Sequence, residues 1–367
     1  MKDSYFISGI QQIGVGCMNF GEAWRWYIEM FHMDVRILED DTVAERMLPY
    51  TGNKAQKRHA CIAVNLQGGG GFEIWQYSER TPVPCSFAVS VGDLGTFAAK
   101  LKSRDVEALH HELAEKRKAH AQGMPWLLGP VYTSPDGVKN FVVQDPWKNY
   151  FYVEECKDIF IEQHTLNGGI SGAMVGCTDM AKSLSLYRDL LGYDTVVYDQ
   201  VGRFADLAAM QCGNQQYRRV KLRTSRPRKG ALAPLLGEST IELLQPLERE
   251  PRKIYEGRYW GDPGFIQICF DVTNMRALEK EFKAKGYPFT VDSCPGGEHF
   301  DMGEASGHFT YIEDPDGNLI ELVEAHKLTV LKKPHIFIDM LKRNREKAFP
   351  KCFFRLMGMK KVKAASR

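Results

Sequence analysis

The 367-residue sequence predicts an α+β fold made from one supersecondary unit used four times. Three observations predict it. Four segments open with an apolar strand that runs into a helix: ISGIQQIGVGCMNFGEAWRWYIEMF, VPCSFAVSVGDLGTFAAKLKSRDV, GISGAMVGCTDMAKSLSLYRDLLGY and GFIQICFDVTNMRALEKEFKAKGY. Further strands follow each helix and close on an apolar run: GFEIWQYSE, NYFYVEE, STIELLQP and NLIELVE. Two of those closing runs are introduced by a proline turn, DPWKN at Asp145 and DPDGN at Asp314, where Pro fixes φ and Gly or Asn accepts a left-handed bend.

Taken in order, the opening strands are expected near residues 8–17, 84–92, 170–178 and 264–272. Each is followed by Asn19, Asp93, Asp179 or Asn274, whose side chains can accept from the free amide hydrogens of a helix's first turn. Strand, helix, then hairpin-joined strands places helices on one face of mostly antiparallel sheets. The modules span about 5–80, 83–156, 168–247 and 262–326. Module 2 departs from the pattern, because Asp105 to Gln122 reads as an extra polar helix. The connection between modules 1 and 2, about 10 residues, favours pairing of neighbours. That gives an N-terminal domain over 1–156 (modules 1 and 2), a linker over 157–167, a C-terminal domain over 168–326 (modules 3 and 4) and a basic amphipathic tail over 327–367. Pairing of modules 1 and 4 is the alternative.

Apolar residues at 44% and charged residues at 26% exclude a disordered or fibrous chain. No apolar run reaches the roughly 18 residues of a membrane span, and MKDSYFISG lacks a signal-peptide core, so a cytoplasmic location is expected. The nine cysteines are odd in number and form no C-x-x-C pair, which argues against a disulfide framework or structural zinc. The net charge of +2 conceals a division: Lys327 to Arg367 carries +11 and residues 1–326 carry −9. In the tail Ile336, Phe337, Met340 and Leu341 have helical spacing. Docking on the acidic body or a partner subunit is expected, with an anionic membrane surface second. No nucleic-acid motif accompanies any basic patch.

GAMVGCTDMAKSLSLYRDLLGY (Gly172 to Tyr193) and EDPDGNLIELVE (Glu313 to Glu324) resemble the glyoxalase, bleomycin-resistance and extradiol-dioxygenase superfamily, also termed vicinal oxygen chelate proteins. The resemblance covers roughly residues 5–326 and implies four βαβββ modules forming two cupped mixed β-sheets with helices on the outer faces. It also implies metal ligands at one position on the first strand and one on the last strand of each module. Carried onto this chain, the first-strand positions are Gln12, Ser86, Gly172 and Gln267, and the last-strand positions are Glu73, Tyr152, Glu242 and Glu321. None is histidine.

Strand alternation gives these carboxylates an independent meaning. Ile241 and Leu243 point one way and Glu242 the other, and Ile320 and Leu322 flank Glu321 in the same manner. Ile266, Ile268, Phe270 and Val272 form an apolar stripe, which leaves Gln267 on the concave face with Phe265, Cys269 and Asp271. A lone carboxylate in an apolar strand is as readily a rim residue or an Arg partner. Three at one repeat position argue for a shared cation, because an unpaired buried carboxylate costs several kcal/mol.

With neighbouring modules paired, the expected metal set is Glu242, Gln267 and Glu321, with Glu321 also the catalytic group; with modules 1 and 4 paired, Gln12 and Glu73 join Gln267 and Glu321. Such hard oxygen donors suit Mg, Mn, Ni, Co or Zn, whereas iron-dependent oxygenation asks for two imidazoles. His110, His111 and His120 read as surface residues, and His308 is the one histidine that could line module 4. QGGGGFEIW lacks the Lys-Ser/Thr of a phosphate loop and reads as a flexible hairpin turn, and SRPRKG as a solvated loop or an anion clamp. The resemblance implies a metal-dependent glyoxalase-type lyase or isomerase that moves a proton next to the carbonyl of a small-molecule substrate, with a homodimer as a possible assembly. A metal-free binding protein of the same fold is the alternative, and an extradiol-type dioxygenase the third reading.

Overall fold

A computed structural model describes residues 4–119, 126–296, 300–301, 305–331 and 336–366. Module 1 comprises β1 (Phe6–Gly16), α1 (Phe20–Phe31), β2 (Val35–Val43), β3 (Lys57–Val64) and β4 (Gly71–Tyr77). Module 2 comprises β5 (Gly95–Ser103), α2 (Val106–Ala119), β6 (Leu127–Leu128), β7 (Tyr132–Thr133), β8 (Lys139–Gln144) and β9 (Tyr150–Glu155). Module 3 holds β10 (Asn167–Gly176), α3 (Met180–Tyr187), β11 (Thr195–Gly202), β12 (Tyr217–Arg223), α4 (Ala233–Leu236) and β13 (Thr240–Pro246). Module 4 holds β14 (Gly264–Thr273), α5 (Met275–Ala284), β15 (Val291–Asp292), β16 (Phe300–Asp301), β17 (Ala305–Glu313) and β18 (Leu319–Leu331), and the tail adds β19 (Ile336–Asp339) and α6 (Lys351–Met357).

The strands form two mixed sheets. One runs β15-β17-β18-β14-β1-β4-β3-β2, with β16 on β17 and β19 on β18; the other runs β11-β12-β13-β10-β5-β9-β8-β6, with β7 on β8. Modules 1 and 4 therefore share one sheet, joined where β1 runs antiparallel to β14, and modules 2 and 3 share the other through β5 and β10. This corrects the expected grouping of neighbours. The connection between modules 1 and 2 is longer than about 10 residues, because residues 84–92, expected to be a strand, are part of it. The whole segment 78–94 is strand-free and long enough to carry the chain to the second sheet, anchored on the way by Arg80 to Asp262 at 2.6 Å.

The same misreading displaced the helix of module 2. Asp93 caps a turn by accepting from Ser90 N at 2.8 Å, and GTFAAKLKS, expected to be helical, is the opening strand β5. The helix α2 starts after Asp105, whose Oδ1 accepts from Ala108 N at 2.9 Å. Asn19 and Asp179 start α1 and α3 as expected, each accepting from amide hydrogens of the first turn. Asn274 does not: it sits at φ 67°, and Glu324 on β18 accepts from the amides of Asn274 (2.6 Å) and Met275 (3.0 Å) in its place.

The helix-covered faces of both sheets share one apolar core, in which Ile13, Phe72, Phe151, Phe270 and Ile320 pack with Tyr27 of α1 and Tyr187 of α3. The two proline turns are tied into it. Asp145 accepts from Trp147 N and Asn149 N and from the Tyr27 hydroxyl at 2.8 Å, and Asp314 accepts from Asp316 N, Asn318 N and the Tyr187 hydroxyl at 3.0 Å. The glycine run of QGGGG is a seam between the sheets rather than a flexible turn. Gly70 and Ile170 exchange backbone hydrogen bonds of 2.9 and 2.8 Å, and a Cβ on Gly69 would stand 2.6 Å from the Gly169 carbonyl carbon.

The tail begins as a strand where helical spacing had been read, β19 pairing antiparallel with β18. It then packs Phe349 and Phe354 against Val35, Val64, Leu66 and Phe160, and Lys361 pairs with Asp34 at 2.9 Å. Val35 and Val64 belong to β2 and β3, so the tail lies on the sheet of modules 1 and 4. His120 lies outside the described residues. Among the described residues, no helix is long and apolar enough to cross a membrane.

Candidate functional site

The residues carried forward from the sequence divide between two cups. In β4, Phe72 and Ile74 enter the helix-side core, so Glu73 faces the cup with Trp75 and Tyr77. On β18 Ile320 and Leu322 do the same, leaving Glu321 opposite them. Between these two strands lie β1 and β14, whose register carries a bulge: Ile13 faces Ile268 and Val15 faces Phe265, so Gly14 alone opposes Ile266 and Gln267. The bulge reverses part of the expected alternation. Phe265 joins the helix-side core, and Ile266 joins the cup beside Trp75 and Trp260.

The bulge also puts Gln267 at the floor of the cup. Its Nε2 donates to Glu73 Oε2 at 2.9 Å and to Glu321 Oε2 at 3.4 Å, while its Oε1 accepts from Trp260 Nε1 at 3.1 Å. Gln267 is 1% exposed and Glu321 8%. The Tyr311 hydroxyl and the Cys269 thiol are pushed up by burial, and then by the charge of Glu321 beside them. Burial, and then the negative charge of Glu73 beside it, push the Glu321 carboxyl up to about 8. Glu73 is raised by burial as well, against the opposing pull of Arg58, which is itself paired with Asp40. Gln12 is buried on β1, two residues from Gly14 and on the same face, and its Oε1 has no hydrogen-bond partner. Modules 1 and 4 thus bring Glu73, Gln267 and Glu321 together, with Gln12 on the neighbouring stretch of β1, whereas only the alternative pairing grouped these residues.

Glu242 is not among them. It stands in the cup of modules 2 and 3, where Lys100 Nζ lies 2.6 Å from Oε1, Arg219 Nε 2.7 Å from Oε2 and the Tyr198 hydroxyl 3.0 Å from Oε2. Burial raises this carboxyl, but Arg219, Lys100 and Lys221 outweigh it and hold the group well below its ordinary range. Lys100 also reaches Glu154 at 2.8 Å, Lys221 reaches Asp136 at 2.8 Å, and Arg219 reaches Asp206 at 2.8 Å, with the Tyr152 hydroxyl on Asp206 at 2.7 Å. The second cup is filled by its own cations, so the expected trio of Glu242, Gln267 and Glu321 does not form. Ser86 is an exposed loop residue and Gly172 has no side chain to offer. His308 pairs with Asp292 at 2.6 Å and lies on the strand face opposite Tyr311. In SRPRKG, Arg228 donates to the carbonyls of Ile7 and Leu191 at 3.1 and 2.9 Å, which makes it a strut.

Beside Trp260 and Ile266 lies a cavity of about 410 Å³, lined also by Tyr50, Tyr255, Tyr259 and Leu319; Gln12, Glu73, Gln267 and Glu321 do not line it. Trp260 and its neighbours were missed at the sequence level, although three aromatic rings in the linker segment KIYEGRYWGD are more than a solvated linker needs. Among the described residues, no three His, Cys, Asp or Glu side chains are grouped to hold a metal ion. What the cup offers is two carboxylates and glutamine amides.

Two βαβββ modules closing one curled sheet, with an acidic residue at the same place on each last strand, define the class of fold found in the vicinal oxygen chelate superfamily. The chain carries that fold as a tandem of four modules. Residues 169–322 match the family model of the Glyoxalase/Bleomycin resistance protein/Dioxygenase superfamily. Among solved structures, a Bacillus subtilis protein provisionally named a dioxygenase is 12% identical, covering 88% of this chain and 86% of its own at a TM-score of 0.52. Two variants of glyoxalase I from Zea mays are also similar. One is 14% identical with coverages of 88% and 92% and a TM-score of 0.50, the other 12% identical with 86% and 93% and a TM-score of 0.51. At these identities the likeness is one of fold. No curated protein matches the chain in sequence.

Proposed function

We propose that the cup of modules 1 and 4 binds a divalent cation and a small carbonyl compound, and that the protein is a glyoxalase-type lyase or isomerase working by proton transfer next to that carbonyl. One observation carries the reading: carboxylates from the last strands of two different modules, Glu73 and Glu321, meet on the single amide group of Gln267. Two carboxylates that close, Glu321 buried and Glu73 partly so, repel each other unless a proton or a cation stands with them. The same cup holds the unpartnered Oε1 of Gln12. Glu73, Glu321 and Gln12 would hold the ion, and their hard oxygens suit Mg, Mn, Ni, Co or Zn. A bound ion supplies Lewis acidity toward a carbonyl oxygen.

The remaining work belongs to the chain's own side chains. Glu321 takes the proton from the carbon next to the carbonyl and returns it, with Gln267 Nε2 donating to that carboxyl. Trp75, Trp260 and Tyr311 wall the floor with apolar rings, and the cavity beside Trp260 receives the rest of the substrate. The test is solvent deuterium exchange into hemithioacetals and 2-methyl acyl-CoA thioesters with each of the five metals added. Exchange that needs metal and disappears in Glu321→Gln is expected. Absence of exchange with every substrate, together with no metal uptake, overturns the reading.

The aromatic lining of the cavity favours a second reading, a binding protein of the same fold that takes an apolar ligand without metal. Ligand binding unaffected by a chelator and by Glu321→Gln would establish it.

A further inference from the structure

The amide of Gln267 is fixed at both ends by groups that cannot exchange roles. The indole of Trp260 has one N–H and no acceptor, so the atom facing it at 3.1 Å must be the amide oxygen. At the other end the –NH2 faces two carboxylate oxygens, at 2.9 Å on Glu73 and 3.4 Å on Glu321. Turning the amide over would set –NH2 against an N–H and oxygen against two carboxylates, replacing three hydrogen bonds by three repulsive contacts. Trp260 is itself held, with its ring edge-on to Trp75 at 4.7 Å and to Tyr311 at 6.1 Å and its carbonyl accepting from the Tyr77 hydroxyl.

Gln12 is the opposite case. It is 3% exposed, lies opposite Cys269 in the strand pairing, and its Oε1 accepts from nothing. A buried amide oxygen without a donor is an open acceptor, and Gln12 stands two residues from Gly14, against which the Gln267 amide packs, so that this oxygen is suited to a cation.

We propose that Trp260 keeps Gln267 turned as a hydrogen-bond donor to Glu73 and Glu321, outside the metal's ligands, so that the cation is held by Gln12, Glu73 and Glu321. The inference rests on the cation reading above and adds a positioning residue to it. Trp260 belongs to the linker ahead of β14, away from the strand positions where ligands were sought. It decides which end of an amide faces the site, without touching the ion.

The test is calorimetric titration of Mn²⁺ into the wild-type protein and into Trp260→Phe, Gln267→Met, Gln12→Met and the double variant Trp260→Phe/Gln267→Met. Phenylalanine keeps an aromatic ring but removes the N–H, freeing the amide to turn its oxygen inward. Trp260→Phe is expected to tighten Mn²⁺ binding by about threefold or more, Gln267→Met to leave Kd within about threefold of wild type, and Gln12→Met to weaken it by about tenfold or more, the scale on which ligands and their supports usually act. The double variant should return to the Gln267→Met value, because the gain runs through the amide. Weaker binding in Trp260→Phe, or a loss of about tenfold in Gln267→Met, would make Gln267 a ligand and overturn the proposal while leaving the cation reading intact. No Mn²⁺ binding by the wild type or any variant overturns both. Near-ultraviolet circular dichroism checks folding, and if Trp260→Phe does not fold, the contrast between Gln267→Met and Gln12→Met decides by the same criteria.

Discussion

Gly14 makes room for Gln267: a Cβ at position 14 would stand 2.7 Å from the Gln267 amide carbon and oxygen and 2.8 Å from its nitrogen. All three atoms of the group that joins Glu73 to Glu321 therefore depend on a missing side chain one strand away. Gly14→Ala should displace the amide and destabilise the protein by about 1–3 kcal/mol, the usual range for overpacking a filled interior. Urea denaturation measures this, and an unchanged midpoint would mean that the floor of the cup can relax.

The second cup makes the contrary prediction. Lys100 is fully buried between Glu154 and Glu242, so Lys100→Met leaves two buried carboxylates short of a cation and should cost about 3–5 kcal/mol. Adding Glu242→Gln should recover part of the loss, because it removes one of the stranded charges. If the single and double variants are equally unstable, the network is not coupled as the distances indicate.

That network also sets an acid limit. Glu242 has its folded-state pKa depressed below the ordinary 4.5, so it contributes stability that is present above 4.5 and is lost as pH falls toward the folded value. Denaturation midpoints measured at descending pH should fall below about pH 4.5, and Glu242→Gln should fall less steeply. Parallel curves for the two proteins would assign the acid loss to other carboxylates.

The tail prediction follows from Phe354, which is fully buried against β2 and β3 residues. Phe354→Ala should destabilise by about 3–5 kcal/mol, as large-to-small changes in packed cores do. Ending the chain after Leu331 should uncover Val35, Val64 and Leu66 and raise binding of an apolar fluorescent dye. A truncated protein with wild-type stability and dye binding would show the contact to be dispensable.

The four-module plan was legible because period-two alternation around Glu73, Glu242 and Glu321 and the two proline turns are local signals. Module 2 was misread because Lys100 and Lys102 on β5 look like a helix's solvated face, whereas Lys100 is buried between Glu154 and Glu242 of other strands and Lys102 donates to the Asp158 carbonyl at 3.0 Å. A period-two signal was present in β12 of the same sheet, where Arg219 and Lys221 alternate with Val220 and Leu222. Module pairing was not legible, since VPCSFAVSV has the composition of a strand and only its tertiary contacts hold it as a connection. Gln12, Glu73, Gln267 and Glu321 were each named from the family resemblance, as positions on the first and last strands of the modules. Their grouping depended on the pairing, and Trp260, which depends on neither period nor repeat, was not found.

The central claim is that Gln12, Glu73 and Glu321 form a cation site in the cup of modules 1 and 4 and that Glu242 takes no part in it. Calorimetric titration of Mn²⁺ into metal-stripped wild type, Glu73→Gln, Glu321→Gln and Glu242→Gln tests this most directly. The account predicts one ion per chain in the wild type, a loss of affinity of about tenfold or more in each of the first two variants, and wild-type affinity in a folded Glu242→Gln. No ion bound by the wild type, or a loss confined to Glu242→Gln, would contradict it.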